Sequence, residues 1–191
     1  MMTRSFKSGG VILYDDTGIW IIKEHHGWNF PGGYKEDKDK DIYHTMAREF
    51  NEETYDSFPI TPEIIKTLAK TCSHIYYPFK RNYLYITIHV DDLPFQFSLS
   101  KYNENIKTRK LTESTKFMHV TNEEIIDLFE SMHIRLQRLL LSRDVPFSIK
   151  NLYNLNNDFL SKIFTNSVQY NVLKGMRKIV NITKIEVAPI V

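Results

Sequence analysis

Cysteine and long apolar runs are what this sequence has least of. Cys72 is the only cysteine among the 191 residues, which excludes an internal disulfide and a cysteine-based metal site. No apolar run approaches the ~20 residues needed to span a bilayer, and the polar segment 1–10 lacks the apolar stretch of a signal peptide. We therefore expect a soluble, cytoplasmic protein with no membrane partner, in which Cys72 fills a small apolar space.

The charge is nearly balanced overall but is unevenly distributed. Apolar residues make up 42% and charged residues 25%, which suits a globular domain with a sizeable core. Residues 1–130 carry 16 Lys+Arg and 20 Asp+Glu, whereas residues 131–191 carry 9 and 3. The C-terminal excess of positive charge is typical either of a segment with a polyanionic partner or of a solvated basic face.

Apolar patterning predicts an α/β domain over residues 1–130. Two β-rich runs flank the turn residues 15–18, which indicates a hairpin. Apolar residues recur at helical spacing in 41–54, which predicts a helix. We further expect loops at 25–33 and 99–115, strands at 83–90 and 116–120, and a helix opened by a Thr121–Glu124 capping box. Residues 131–191 are expected to form a helical appendage packed on this core.

Three carboxylates share one face of the predicted helix 41–54. Glu49, Glu52 and Glu53 are spaced i, i+3 and i+4, and such a group is best tolerated when a cation lies between the carboxylates. Hard oxygen ligands of this kind suit Mg²⁺ or Mn²⁺. Arg48 lies four residues before Glu52 and can orient a carboxylate, and a carbonyl of the loop that contains Gly32 and Gly33 can add another ligand. The alternative is a surface helix whose glutamates are simply solvated.

The loop and helix together resemble the signature of the Nudix hydrolase family. That signature reads Gly-x5-Glu-x7-Arg-Glu-U-x-Glu-Glu-x-Gly-U, where U is a bulky aliphatic residue, and the match covers residues 32–56. Two departures stand out. Gly33 and Arg48 are fifteen positions apart instead of fourteen, so that Asp39 is the nearest counterpart of the first glutamate. Tyr55 occupies the position of the usual glycine, which predicts an altered helix end because positive φ is unfavourable for tyrosine.

The resemblance implies a fold and a set of roles. The fold would be a Nudix α/β/α sandwich with a mixed sheet, followed by the appendage. Glu52 and Glu53 would be the leading ligands of Mg²⁺ or Mn²⁺, the Gly33 carbonyl would complete the shell, and Glu49 would be a further ligand or general base. Arg48 would orient a carboxylate, and Glu113, before the strand 116–120, is our candidate for a further catalytic carboxylate from a distant loop.

The resemblance also limits the substrate to a nucleoside diphosphate linked to another group, cleaved at a phosphoanhydride bond. Two alternatives remain open at this stage. One is mRNA decapping, suggested by the basic segment 131–191 and by 17 Lys against 8 Arg, a bias that fits AT-rich genomes such as those of large DNA viruses with Nudix decapping enzymes. The other is a catalytically inactive module that binds nucleotides or RNA, suggested by Tyr55 and the one-residue insertion.

Overall fold

The computed structural model describes residues 6–72, 74–77, 82–108, 116–128, 131–133, 136–137 and 180–182. Within these residues the strands are β1 (Ser8–Tyr14), β2 (Gly18–Glu24), β3 (Gly27–Asn29), β4 (Gly32–Tyr34), β5 (His74–Tyr77), β6 (Tyr83–His89), β7 (Lys116–Thr121) and β8 (Val180–Ile182). The helices are α1 (Ile42–Glu53), α2 (Pro62–Leu68), α3 (Ser100–Thr108) and α4 (Asn122–Leu128). None of the helices in these ranges combines the length and hydropathy of a membrane-spanning segment.

The strands form one mixed sheet around β1. Strand β1 is parallel to β6 along its whole length and antiparallel to β4 and β2. The predicted hairpin is confirmed, and Asp15 closes its turn by accepting the backbone N–H groups of Thr17 and Gly18. Strand β2 also pairs antiparallel with β3 and with β7. On the other side of β1, β6 is followed by β5 and then by β8. The expected α/β fold with a mixed sheet is therefore confirmed.

Both faces of the sheet are buried. Successive residues of a strand point to opposite faces, and Val11 and Leu13 pack in the main core with α1 and α2. Ile12 faces the other side and is fully buried as well. Met132 and Leu136, beyond the expected domain boundary, are buried too. Apart from 131–133, 136–137 and the short strand β8, the appendage lies outside the described residues.

Helix α3 occupies a segment for which we expected a surface loop, so that prediction was wrong for residues 100–108. Composition was misleading because the helix is mostly polar. Tyr102 is nevertheless buried and packs on Phe117, with 5.7 Å between the ring centroids. Leu99 and Ile106 flank it at helical spacing and are partly buried against the same core. The loop expected at 25–33 likewise contains β3 and the first two residues of β4.

Helix α1 begins and ends at identifiable residues. The Asp41 carboxylate caps its start by accepting the backbone N–H groups of Tyr43 and His44 at 2.9 and 3.0 Å. At its end, Tyr55 and Asp56 adopt φ values of 56° and 52°. The ring of Tyr55 is buried, so that packing holds a left-handed conformation in which glycine is usual. The helix end therefore keeps positive φ without the glycine.

Candidate metal centre

The glycine loop lies directly against the carboxylate face of α1. The backbone N–H of Gly32 donates to Oε2 of Glu53 at 2.8 Å. At Gly33 a β-carbon would overlap the carboxylate of Glu49, so no larger residue fits there without movement. This close approach is possible because β4 pairs with β1, which places Gly32 and Gly33 opposite Gly10 and Gly9. The loop and the helix thus form a single unit.

Arg48 connects the carboxylates around this loop. Its side chain is only 12% exposed. Its guanidinium donates to the backbone carbonyl of Tyr34 at 2.7 Å and contacts four carboxylates, those of Asp39 at 3.0 Å, Glu49 at 2.9 Å, Glu52 at 2.9 Å and Glu36 at 3.3 Å. Burial by itself would lower the pKa of Arg48, but Asp39 and Glu49 outweigh this effect, so that the pKa lies above its usual range. Arg48 is therefore a fixed cation that orients its neighbours.

Asp39 accommodates the inserted residue. Its side chain is 4% exposed and accepts hydrogen bonds from Arg48 and from the Thr45 hydroxyl. The segment folds back on itself, since the Glu36 N–H donates to Asp39 Oδ2 at 2.9 Å and the Asp39 N–H donates to the Glu36 carbonyl at 3.0 Å. Burial by itself would raise the pKa of Asp39, yet the hydrogen bonds from Arg48 and the backbone hold it below its usual range. Asp39 thus anchors Arg48 from the N-terminal side of α1.

Glu53 is a buried carboxyl among other carboxyls. It is 6% exposed and lies within hydrogen-bonding reach of Glu24, which ends strand β2. Burial raises the pKa of Glu53 well above its usual range, and the Glu24 and Glu49 charges raise it further against the opposing effect of the Gly32 N–H. Glu24 lies outside the signature segment 32–56 and was not among the predicted site residues. Alternation along β2 could have found it, because Trp20, Ile22 and Glu24 share one face.

The donor set fits a divalent cation. Arg48 and Lys38 form ion pairs with four carboxylates in this region, those of Glu36, Asp39, Glu49 and Glu52. Two more carboxyl groups, those of Glu24 and Glu53, lie next to each other beside Glu49. The excess of negative charge consists of hard oxygen donors, which Mg²⁺ and Mn²⁺ prefer. Within the described ranges, no three His, Cys, Asp or Glu side chains already stand in an ion-holding geometry. Arg48 instead holds Glu49 and Glu52, so that ion binding requires these side chains to turn.

The candidate carboxylate Glu113 lies outside the described residues, and its proposed catalytic role remains a prediction.

Two aromatic residues precede the glycine loop. Trp28 is 8% exposed beside β2, and the ammonium groups of Lys23 and Lys116 lie 5.1 and 5.9 Å from its ring centroid. Phe30 is fully buried. Both aromatic residues next to the glycine loop are therefore anchors in the fold rather than exposed platforms for a base.

The geometry defines an α/β protein in which a glycine loop is packed on a carboxylate-bearing helix. The family model of the NUDIX domain matches residues 6–133, which are 128 of the 191 residues. The chain belongs to the Nudix family, and the resemblance drawn from residues 32–56 is confirmed. No curated protein matches the sequence significantly.

Several solved structures are similar to this chain at low identity. A bifunctional NMN adenylyltransferase/ADP ribose pyrophosphatase from Francisella tularensis, complexed with AMP and a Mn ion, has a TM-score of 0.45 at 17% identity, over 69% of this chain and 38% of that one. The chain thus spans 38% of that protein's length. The Ap4A hydrolase of C. elegans has a TM-score of 0.40 at 17% identity, over 72% and 94% of the two chains. A mutant form of the pyrophosphohydrolase BsRppH of Bacillus subtilis has a TM-score of 0.35 at 15% identity, over 92% and 84%.

Proposed function

We propose that this protein is a metal-dependent pyrophosphohydrolase that cleaves a phosphoanhydride bond in a nucleoside diphosphate-linked substrate. The observation that carries the proposal is the buried Glu53 carboxyl, which lies against the Gly32 N–H among the Glu24 and Glu49 carboxyls. A purely structural helix has no need to bury a carboxyl beside two others, because such burial is costly unless a cation compensates it.

The residues that would hold the cation are Glu52, Glu53 and Glu49, together with the Gly33 carbonyl. A bound Mg²⁺ or Mn²⁺ would neutralise phosphate oxygens and make a water molecule more acidic. Hydrolysis forms a bond from the water oxygen to phosphorus and breaks the anhydride P–O bond, so that one proton must leave the water. Glu49 would accept that proton, and the proposal is supported by the position of its carboxylate, which lies against Gly33 and contacts Arg48 at 2.9 Å.

Arg48 and Asp39 act on this chemistry through position. The Arg48 guanidinium spans from Asp39 to Glu52 and keeps the carboxylate of Glu52 on the loop side of α1. The left-handed conformation of Tyr55 supports an active enzyme, because α1 ends as a helix with the usual glycine would.

The experiment is a turnover assay on a panel of dinucleoside polyphosphates, nucleotide sugars, nucleoside triphosphates and diphosphoinositol phosphates. Each substrate is incubated with the wild-type protein in Mg²⁺, in Mn²⁺ and in excess EDTA. We expect phosphate-ester products from at least one nucleoside diphosphate-linked substrate, formed only when the cation is present. Binding of nucleotides without products in either metal would contradict the proposal and favour an inactive binding module.

A further inference from the structure

Glu24 lies outside the signature segment but inside its carboxylate cluster. It is the last residue of β2, and alternation places it on the same face as Ile22, which packs in the core with α1. Its carboxyl group is within hydrogen-bonding reach of the buried Glu53 carboxyl. The two acidic groups come from elements that are 29 positions apart in sequence, so that the sheet, and not local helix geometry, brings them together.

Asn29 supports Glu24 from the neighbouring strand. It pairs with Ile22 in the β2–β3 register, two residues before Glu24 on the same face. Asn29 is fully buried, and its Nδ2 donates to Glu24 Oε2 at 3.1 Å. This contact fixes the amide orientation, because the flipped amide would place an oxygen against a carboxylate oxygen. The other amide atom, Oδ1, is buried and has no hydrogen-bond partner within the described part of the chain.

A buried amide oxygen without a partner normally indicates a missing donor or cation. Asn29 Oδ1 is attached to the same amide carbon as the nitrogen that contacts Glu24, so the unpartnered acceptor adjoins the carboxylate cluster. Carboxylate and amide oxygens are both ligands that Mg²⁺ and Mn²⁺ accept. The acidic pair favours a positive group, and the unpartnered amide oxygen beside it is a further hard oxygen donor.

We propose that Glu24 is a ligand of the divalent cation together with Glu53, and that Asn29 positions Glu24 for this role. The proposal rests on the proposed function, since it assigns a further ligand to the same centre. It extends the centre from the loop and helix to the end of β2. The competing explanation is structural: Glu24 and Glu53 share a proton, and Glu24 has no role beyond packing.

Substitution by glutamine separates the two explanations. In the variant Glu24→Gln the amide oxygen can still accept from Asn29, and the amide NH₂ can donate to Glu53. A structural role therefore predicts a variant that is as stable as the wild type and binds the cation equally well. A ligand role predicts the same or higher stability without metal, because a carboxyl–carboxyl contact is removed, but weaker binding of the cation.

The test measures Mn²⁺ binding to the full chain by calorimetry and by the water-proton relaxation of the bound ion. We expect Glu24→Gln to lower the Mn²⁺ affinity by about tenfold or more and to raise the relaxation, because water replaces the lost ligand. Glu24→Asp keeps the charge but withdraws it by one methylene, and we expect it to lose affinity as well. Glu63→Gln on α2 is the matched control, since Glu63 is exposed and lies outside the cluster.

Wild-type Mn²⁺ affinity in Glu24→Gln would overturn the proposal. Wild-type affinity in Glu24→Asp together with weak binding in Glu24→Gln would also overturn it. The negative charge alone would then explain the affinity, without direct coordination of the cation by Glu24. Glu53→Gln, measured alongside, separates this failure from failure of the proposed function. If Glu53→Gln loses Mn²⁺ and Glu24→Gln does not, only the role of Glu24 is wrong. If neither variant nor the wild type binds Mn²⁺, the metal-dependent function itself is wrong.

Discussion

At the scale of single residues, Arg48 determines how the acidic groups of the signature segment are arranged. It holds Glu49 and Glu52 on the helix and is itself anchored by Asp39. The sequence predicted that Arg48 orients a carboxylate; Arg48 contacts Glu52 at 2.9 Å, and the orienting role remains a prediction. The role of Asp39 could not be predicted, because an inserted residue can be absorbed at several points of a loop and only the hydrogen bonds show which one.

The anchor can be tested with Asp39→Asn. This variant keeps the shape of Asp39 but removes a buried charge that pairs with Arg48, so we expect a loss of about 1–3 kcal/mol in the free energy of unfolding at pH 7. The pKa of Asp39 is lowered in the folded protein. Its contribution is therefore complete above the unfolded value of about 4 and is lost as pH falls through the folded pKa.

The measurement is urea denaturation at pH 7 and near pH 3. Asp37→Asn is the control, since Asp37 is an exposed carboxylate in the same loop. The difference between wild type and Asp39→Asn should shrink at the lower pH. Equal stabilities of Asp39→Asn and Asp37→Asn at pH 7 would show that Asp39 does not anchor Arg48.

At the scale of elements, sequence periodicity predicted the helix whose formation depends on local sequence. It did not predict the helix whose burial depends on contacts with distant residues. The helix 41–54 was predictable because a capping residue and an apolar stripe coincide. Helix α3 was not, because its burial depends on Tyr102 reaching Phe117. Glu24 was missed for a similar reason, since its contact with Glu53 joins a strand to a helix. Within the candidate site, therefore, local spacing predicted that Glu49, Glu52 and Glu53 share a helix face. Alternation along β2 indicates only the face on which Glu24 lies, and its contact with Glu53 depends on the tertiary fold.

The end of α1 provides a test at this scale. Asp56 is exposed and adopts φ 52°, a conformation that a β-carbon disfavours. We expect Asp56→Gly to be more stable than Asp56→Ala by about 1 kcal/mol. Both variants lose the same carboxylate, so that the difference isolates the backbone. Thermal denaturation provides the comparison, and an Asp56→Ala variant at least as stable as Asp56→Gly would contradict the left-handed helix end.

At the scale of the whole molecule, the segment beyond residue 130 is partly integrated with the core. The His133 N–H donates to the Trp28 carbonyl at 2.7 Å, and Leu136 is fully buried. The division into residues 1–130 and 131–191 remains a prediction. The basic segment 131–191 suggested an RNA partner, and two of its basic residues, Arg135 and Arg138, lie outside the described residues. Whether they face RNA is a question for the substrate assay.

We expect the reaction on small nucleoside diphosphate-linked substrates to be insensitive to these charges. Turnover of dinucleoside polyphosphates and of cap-labelled RNA would be compared at two salt concentrations, with the wild type and with the double variant Arg135→Glu/Arg138→Glu. Small-substrate rates should be equal in all four conditions. A preference for capped RNA that disappears in the double variant and at high salt would instead establish the decapping alternative.

The central claim is that buried carboxylates hold a catalytic divalent cation, and the variant Glu53→Gln tests it most directly. The neutral amide keeps the shape and can still accept from the Gly32 N–H, so that the fold should be at least as stable as that of the wild type. We expect kcat at saturating Mn²⁺ to fall on the order of 10²-fold or more, while Glu63→Gln keeps the wild-type rate. Wild-type turnover in Glu53→Gln, or wild-type turnover that survives excess EDTA, would contradict the account.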